Sequence, residues 1–322
     1  MTFIIYGVGA IGGTIAAKLA QSGTSTTGIA RGTQLDALRQ NGILLRTPTG
    51  DIRTQFPVVA DPAGLKVDPD DVVFLCMKGQ DTAAALQRLL AAGITTQPIV
   101  CAQNGVANER EALRFFPNVY AMMVVLPATF VTPGEVAAFG MPHAGLFDIG
   151  RYPTGTDAAV EHIAASLTTA GFAAFAKPDA MASKYGKLLM NLGNVLDAAA
   201  GDASSASALL SAARAEGEAV LRAAGIAFSA AADDPRRKTL MMPQTIPGAA
   251  RVGSSSAQSL ARGAGSIETD YLNGEIVLLG RLHGVPTPVN AGLCALGRKL
   301  VADRVKPGSL SLADIEAIVA RT

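Results

Sequence analysis

Charge is scarce in this chain. Only 16% of its 322 residues are Asp, Glu, Lys or Arg, and the formal balance is +1. No basic stretch exceeds Arg236-Arg237-Lys238, so neither nucleic acid nor a membrane surface is an expected partner. That short cluster reads as a solvated loop. Cysteine is equally sparse: Cys76, Cys101 and Cys294 lie far apart among apolar neighbours. Their odd number and wide spacing argue against a disulfide framework and a metal site, and predict buried thiols in a reducing compartment. The three histidines, His143, His162 and His283, are as widely scattered. They support neither a metal centre nor a Ser-His-Asp arrangement. Long hydrophobic runs are missing too, since the longest, around Ala121 to Leu126, is far too short to span a bilayer. No charged leader or cleavage site precedes the first apolar run, so no export signal is expected and the expected location is the cytoplasm.

Apolar residues make up 49% of the chain. With so little charge, that composition describes a compact protein, and the length suits two domains that each bury a core. The most telling stretch is the first. Thr2-Phe3-Ile4-Ile5-Tyr6 has the β-branched and aromatic content of a buried strand. It runs into Gly7-Val8-Gly9-Ala10-Ile11-Gly12-Gly13 and then into helical spacing from Thr14 to Ala20. A G-x-G-x-x-G is weak alone, because glycines are common. Between a strand and a helix it reads as a dinucleotide-binding turn. Gly7 would permit the tight turn, Gly9 would let a pyrophosphate approach, and Gly12 would let helix pack on strand. Free N–H groups of Ala10, Ile11 and Gly12 at the helix start would then face the phosphates. The plain alternative is an ordinary strand-to-helix turn.

The first half alternates strand and helix as a parallel sheet requires. A second strand, Ser25 to Ala30, ends at Arg31. An acidic residue there would hold a ribose 2′-hydroxyl, whereas an arginine suits a 2′-phosphate, so the expected cofactor is NADPH. Arg31 also starts a plausible loop, and simple solvation is the competing explanation. Ile43 to Val59 alternates around Pro48-Thr49-Gly50 like a hairpin. Further strands are expected at Asp71 to Met77 and Pro98 to Ala102, ending at Lys78-Gly79-Gln80 and Gln103-Asn104-Gly105. Ligands of open α/β sheets sit at such carboxyl ends, so Lys78, Gln80, Gln103 and Asn104 should face the cofactor. Later strands run to Phe172–Ala176.

After Lys177-Pro178 strand signals vanish, and alanine- and leucine-rich helices continue to the end, broken near Ser229 to Gly248. The expected organisation is therefore a dinucleotide-binding domain over residues 1–177 and a helical domain over 178–322. On the helix from about Asp179, Met181, Tyr185, Leu188, Leu192 and Val195 form an apolar stripe. Lys184, Lys187, Asn191 and Asn194 form a second stripe beside it. Asparagine is a poor helix-interior residue, and two of them a turn from a lysine call for a polar pocket. Ser254-Ser255-Ser256 and Glu268 precede an amphipathic helix; they could equally be a helix cap and a solvated acid.

Taken together, Gly7-x-Gly9-x-x-Gly12, Lys78-x-Gln80, Gln103-Asn104-Gly105, Lys187-Leu188-x-x-Asn191 and Ser256 twelve positions before Glu268 resemble the ketopantoate reductase family. So do Asn273-Gly274 and Gly284-Val285-x-x-Pro288-x-Asn290. The resemblance implies a Rossmann domain and a helical domain with NADPH in a cleft between them, and reduction of 2-dehydropantoate to pantoate. It implies Lys187 as general acid and Glu268 as its partner at the substrate hydroxyl. Asn104 would lie near nicotinamide and substrate, while Asn191 and Ser256 would bind the substrate's polar groups; Asn194, on the same stripe, is expected to join them. Arg31, Lys78 and Gln80 would lie along the adenosine phosphates and ribose. The chemistry suits these types, because hydride delivery to a ketone builds negative charge on oxygen that an ammonium can neutralise. No metal is expected.

The departures fall on the substrate side. Family members acting on ketopantoate carry a second asparagine four residues after the one at Asn191, then proline; Val195 and Leu196 stand there. An aspartate four after the serine, and a Gly-Arg-x-Thr lead-in to the glutamate, are replaced by Leu260 and Ala264-Gly265-Ser266-Ile267. A 2-oxo acid is thus the expected substrate, ketopantoate or a relative, with a homodimer as the assembly to test. The alternative is an inactive NADP(H)-binding relative, against which both Lys187 and Glu268 speak.

Overall fold

Phe3–Tyr6 (β1) is buried along its whole length, as a central parallel strand covered on both faces must be. The computed structural model describes residues 1–229, 234–251 and 253–321. These residues group into two units.

The first unit takes in residues 1–104, 108–181 and 234–251. Its main sheet has eight strands. From β1 the chain crosses to Thr26–Ile29 (β2) and on to Val58–Val59 (β5) at one edge. It then returns on the other side of β1 through Val72–Leu75 (β6), Ile99–Cys101 (β7) and Val119–Val125 (β8). All these neighbours are parallel. Leu146–Arg151 (β12) is antiparallel to β8, and Ala173–Ala176 (β13) closes the far edge parallel to it. The reversal of direction beside β1 is the topological switch point, where a crevice opens at the strands' carboxyl ends. The helices Ala10–Gln21 (α1), Gly32–Asn41 (α2), Thr82–Ala91 (α3), Asn108–Leu113 (α4) and Ala158–Thr169 (α5) make the crossovers or follow the strands. Strand spacing alone does not mark α2 or α4.

A four-stranded sheet is inserted. Ile43–Thr47 (β3) and Gly50–Thr54 (β4) form the hairpin expected around Pro48-Thr49-Gly50. Ala128–Thr132 (β9) and Glu135–Ala138 (β10) complete it, with β10 parallel to β3. Helix α1 lies on this sheet at Gly13, where a Cβ would come within 3.0 Å of Ile43 Cδ1 and 3.2 Å of Val136 Cγ1.

Residues 234–251 correct the expected division at 177. They group with the first unit, and they contain a strand where none was expected. Arg236–Leu240 (α9) leads into Met241–Pro243 (β14), which pairs antiparallel with Gly140–Pro142 (β11). Arg236 is no solvated loop residue either. Its Nη1 and Nη2 donate to Asp148 Oδ1 and Oδ2 at 2.8 and 2.9 Å, and Asp148 is fully buried in β12. A carboxylate inside a sheet requires such a partner. Residues 230–233 of the break expected near Ser229 to Gly248 lie outside the described residues.

The second unit, residues 105–107, 182–229 and 253–321, contains no strand among the described residues. Its helices are Ala180–Asn191 (α6, for the most part), Asn194–Ala200 (α7), Ser207–Ala223 (α8), Ser255–Ala261 (α10), Thr269–His283 (α11), Pro288–Ala302 (α12) and Leu312–Val319 (α13). No helix among the described residues is long and apolar enough to cross a membrane.

Candidate active site

The glycine loop has the geometry its spacing predicts. Gly7 sits at φ +98°, and a Cβ there would also meet Met77 N at 2.9 Å, so the turn excludes any other residue. At Gly12 a Cβ would fall 2.2 Å from the Gly7 carbonyl oxygen and 2.9 Å from Cys76 Cβ. Gly9 differs: nothing lies within 4 Å of a Cβ built on it. Gly9 is also the N-cap of α1, with no side-chain cap. The first N–H groups of a helix have no partner within it, and Gly9 has no side chain to cap them. Partial positive charge therefore faces open space at the switch point, and this chemistry accepts a phosphate.

Arg31 is the exposed N-cap of α2, two residues beyond β2, rather than the start of a loop. Lys78 and Gln80 are half-buried after β6, Lys78 preceding the short 3-10 turn Gly79–Asp81. Asn104, half-buried, follows β7. Gln103, expected to face the cofactor, is instead 5% exposed and holds the frame. Its Nε2 donates to Thr82 Oγ1 at 2.7 Å, and Thr82 Oγ1 donates to Asn108 Oδ1 at 2.9 Å. Asn108 Nδ2 in turn donates to the Asn104 carbonyl at 3.0 Å. This network ties the Asn104 backbone to the first turns of α3 and α4. Thr82 and Asn108 carry no motif signal, and their residue types alone do not single them out.

In the helical unit the stripe expected on one helix is interrupted. α6 stops at Asn191, Leu192-Gly193 turn, and α7 begins at Asn194. The break is stitched from α11. Buried Asn273 donates through Nδ2 to the Leu192 carbonyl at 3.2 Å and to Asn290 Oδ1 at 3.0 Å. Asn290 Nδ2 donates onward to Ala213 O and to Glu216 Oε2. Glu216 also accepts from the N–H groups of Val289 and Asn290 at the start of α12, where a carboxylate suits the helix dipole. The Asn273-Gly274 and Pro288-x-Asn290 motifs are thus structural: they hold the turn that follows Asn191.

The three serines divide their work. Ser254 caps α10 by accepting from Ala257 N, and its Oγ donates to Asn194 O at 2.9 Å. Ser255 Oγ accepts from Asn194 Nδ2 at 3.4 Å. The cap explanation therefore fits Ser254. Ser256 is 2% exposed, and its Oγ has no partner among the described residues. Glu268 is the buried N-cap residue of α11 and makes no side-chain cap bond, so it is not a solvated acid. Lys187 is half-buried, Asn191 is buried, and Lys184 is more deeply buried than Lys187, at 3% exposure. Through the bonds of Asn194, Ser254 and Asn273, helices α10 and α11 are both fastened to the break behind Asn191. No group of His, Cys, Asp and Glu among the described residues could hold a metal ion.

An open, mostly parallel sheet with a glycine loop at its switch point, followed by a helical unit, defines a dinucleotide-binding oxidoreductase. The family described as Ketopantoate reductase PanE/ApbA matches residues 3–153, and its C-terminal counterpart matches 179–301. The 2-dehydropantoate 2-reductase of Caulobacter vibrioides is 30% identical over 302 residues, covering 91% of this chain and 96% of that protein. That of Halobacterium salinarum is 28% identical over 309 residues, covering 92% and 98%. A PanE/ApbA family ketopantoate reductase structure from Ralstonia eutropha superposes with TM-score 0.78 at 27% identity, covering 94% and 99%. A D-mandelate dehydrogenase solved with NADH and anilino(oxo)acetate shares the fold at TM-score 0.78 and 22% identity, covering 94% and 99%. The chain belongs to the ketopantoate reductase family.

Proposed function

We propose that this chain reduces a 2-oxo acid to the 2-hydroxy acid with NADPH, the substrate being 2-dehydropantoate or a related 2-oxo acid. The observation that carries the reading is the Ser256 hydroxyl. A buried polar atom without a partner costs free energy, and it sits on a helix fastened to the same break as Asn191. A bound polar ligand supplies the missing bond. NADPH, when bound, supplies the hydride for the carbonyl carbon. Lys187 donates its ammonium proton to the oxygen on which charge develops, with Glu268 as its partner at the resulting hydroxyl. Asn191 and Ser256 hold the substrate's polar groups; Asn194, turned toward Ser255, is the weaker member. Asn104 lies near nicotinamide and substrate in this reading, and Gly7, Gly9, Ala10, Ile11 and Gly12 form the pyrophosphate loop.

The substrate side supports a class rather than one compound. Val195 and Leu196 are core residues, 1% and 0% exposed, so no polar side chain stands in the place of the second asparagine. The test is a panel of 2-oxo acids, ketopantoate and aromatic members included, scored by NADPH oxidation. Reduction of at least one is expected, and reduction of none sinks the reading. For the cofactor, Arg31 pairs with the 2′-phosphate. Arg31→Ala should raise the KM for NADPH about tenfold or more and leave NADH use nearly unchanged, as one charge-assisted bond implies. Equal use of the two cofactors by the parent protein contradicts it. A homodimer belongs to the same proposal and is checked by sedimentation.

A further inference from the structure

The loop after β1 carries three backbone carbonyls, and all three are tied back. Gly7 O accepts from Gly9 N at 2.9 Å and Gly9 O from Gly13 N at 2.7 Å, both local bonds. Val8 O is held differently. It accepts from Nε2 of Gln34, 26 positions away on the first turn of α2, at 2.8 Å. The other end of that amide, Oε1, accepts from Gly134 N in the turn between β9 and β10, also at 2.8 Å. One half-buried neutral side chain thus joins the glycine loop, α2 and the inserted sheet.

We infer that Gln34 is a positioning residue for the pyrophosphate of the dinucleotide, acting by holding the Val8 carbonyl away from it. The inference rests on the proposed binding of NADPH at this loop. A carbonyl oxygen bears partial negative charge, and turning the Val8–Gly9 peptide outward would give up the Gly9 N bond to Gly7 O and present the Val8 oxygen to the open side of the loop. Against a pyrophosphate the turned oxygen would add repulsion. Glycines flank Val8 on both sides, so the backbone itself resists such a rotation weakly. One restraint is the Gly9 N bond to Gly7 O within the loop; the other is Gln34, which donates to Val8 O itself. No motif marks it: the fingerprint spans residues 7–12, and Gln34 lies beyond the second strand.

The test uses the full chain and two variants. Gln34→Met keeps the length and neutrality of the side chain and removes both bonds. Gln34→Glu keeps an acceptor for Gly134 N and removes the donor to Val8 O. Each protein is titrated with NADPH and with adenosine 2′-monophosphate, which has no pyrophosphate to place on the loop, and its melting temperature is recorded. NADPH should bind about tenfold more weakly to Gln34→Met, the equivalent of one net hydrogen bond. It should bind more weakly still to Gln34→Glu, while the monophosphate changes less than twofold. Unchanged NADPH affinity in both variants overturns the inference. So does an equal loss of both ligands, because it would show displacement of α2 as a whole. If the parent protein binds no NADPH, the cofactor reading itself falls, a distinct result.

Discussion

Lys184 and Lys187 stand one turn apart on α6, yet Lys184 is buried and Lys187 half-buried. A proton donor must reach substrate, and partial exposure permits that at Lys187. Lys187→Ala is expected to lower turnover by roughly 10²–10⁴, the range of acid–base contributions, with little change in NADPH affinity. Glu268→Ala should slow the same step, and the double variant should lose less than the product of the two. Steady-state kinetics on whichever 2-oxo acid is reduced decides this; full activity of Lys187→Ala would end its assignment as the acid. Ser256 gives a sharper separation of function from stability. Its hydroxyl is buried without a partner, so Ser256→Ala should leave the melting temperature unchanged or raise it while the KM for the oxo acid rises several-fold. A lower melting temperature with unchanged KM would mean the hydroxyl serves the fold. Burial pushes the thiols of Cys76 and Cys294 up to about 12, away from the thiolate form that reacts.

Elements show why the helical half was only partly legible. Apolar spacing continues across Leu192-Gly193 without interruption, so periodicity predicts one helix where there are two. The break depends on Asn273, which arrives from 81 positions away. Removing that side chain strands the Leu192 carbonyl and the Asn290 amide oxygen inside the unit. Asn273→Ala should therefore cost about 2–3 kcal/mol in denaturant unfolding, the scale of buried groups left unsatisfied. A cost below about 0.5 kcal/mol, typical of neutral surface changes, would show that the break forms without it.

For the whole molecule, the decisive surprise is the return of residues 234–251 to the first unit. Arg236 neutralises buried Asp148, stacks on Phe175 at 5.0 Å, and pairs with Asp234 at 2.6 Å; Lys177 reaches Asp148 only at 3.7 Å. Arg236→Met removes both guanidinium bonds to buried Asp148 and should destabilise the protein by about 3–5 kcal/mol, as broken buried pairs do. The Arg236–Asp234 pair also predicts an acid dependence. Hydrogen bonds from the Arg236 side chain hold Asp234 below its ordinary 3.8. A carboxyl whose folded value is lowered contributes stability that is present above the unfolded value and lost as pH falls through the folded one. Melting temperature should accordingly drop below about pH 4, and the drop should be shallower in Arg236→Met. Identical acid profiles would contradict the role given to the pair.

What the sequence determined by itself is local. The strand, glycine loop and helix of residues 3–21, the hairpin at 47–50, the strand ends carrying Lys78, Gln80 and Asn104, and the family all follow from patterns within a dozen residues or from motifs in order. Hydrophobic period and turn chemistry act at that range, so they can be read without a fold. The tertiary structure decided the polar pairings: Gln34 with Val8 and Gly134, Thr82 with Gln103 and Asn108, Asn273 with Leu192 and Asn290, and Arg236 with Asp148. It also decided which of three consecutive serines caps a helix and which keeps an unpartnered hydroxyl. A buried polar group must find a partner wherever the folded chain brings one, and for these pairs that is 17 to 100 positions away. Separation of that kind leaves no trace in composition or spacing, because the pairing is selected only once the apolar elements have packed.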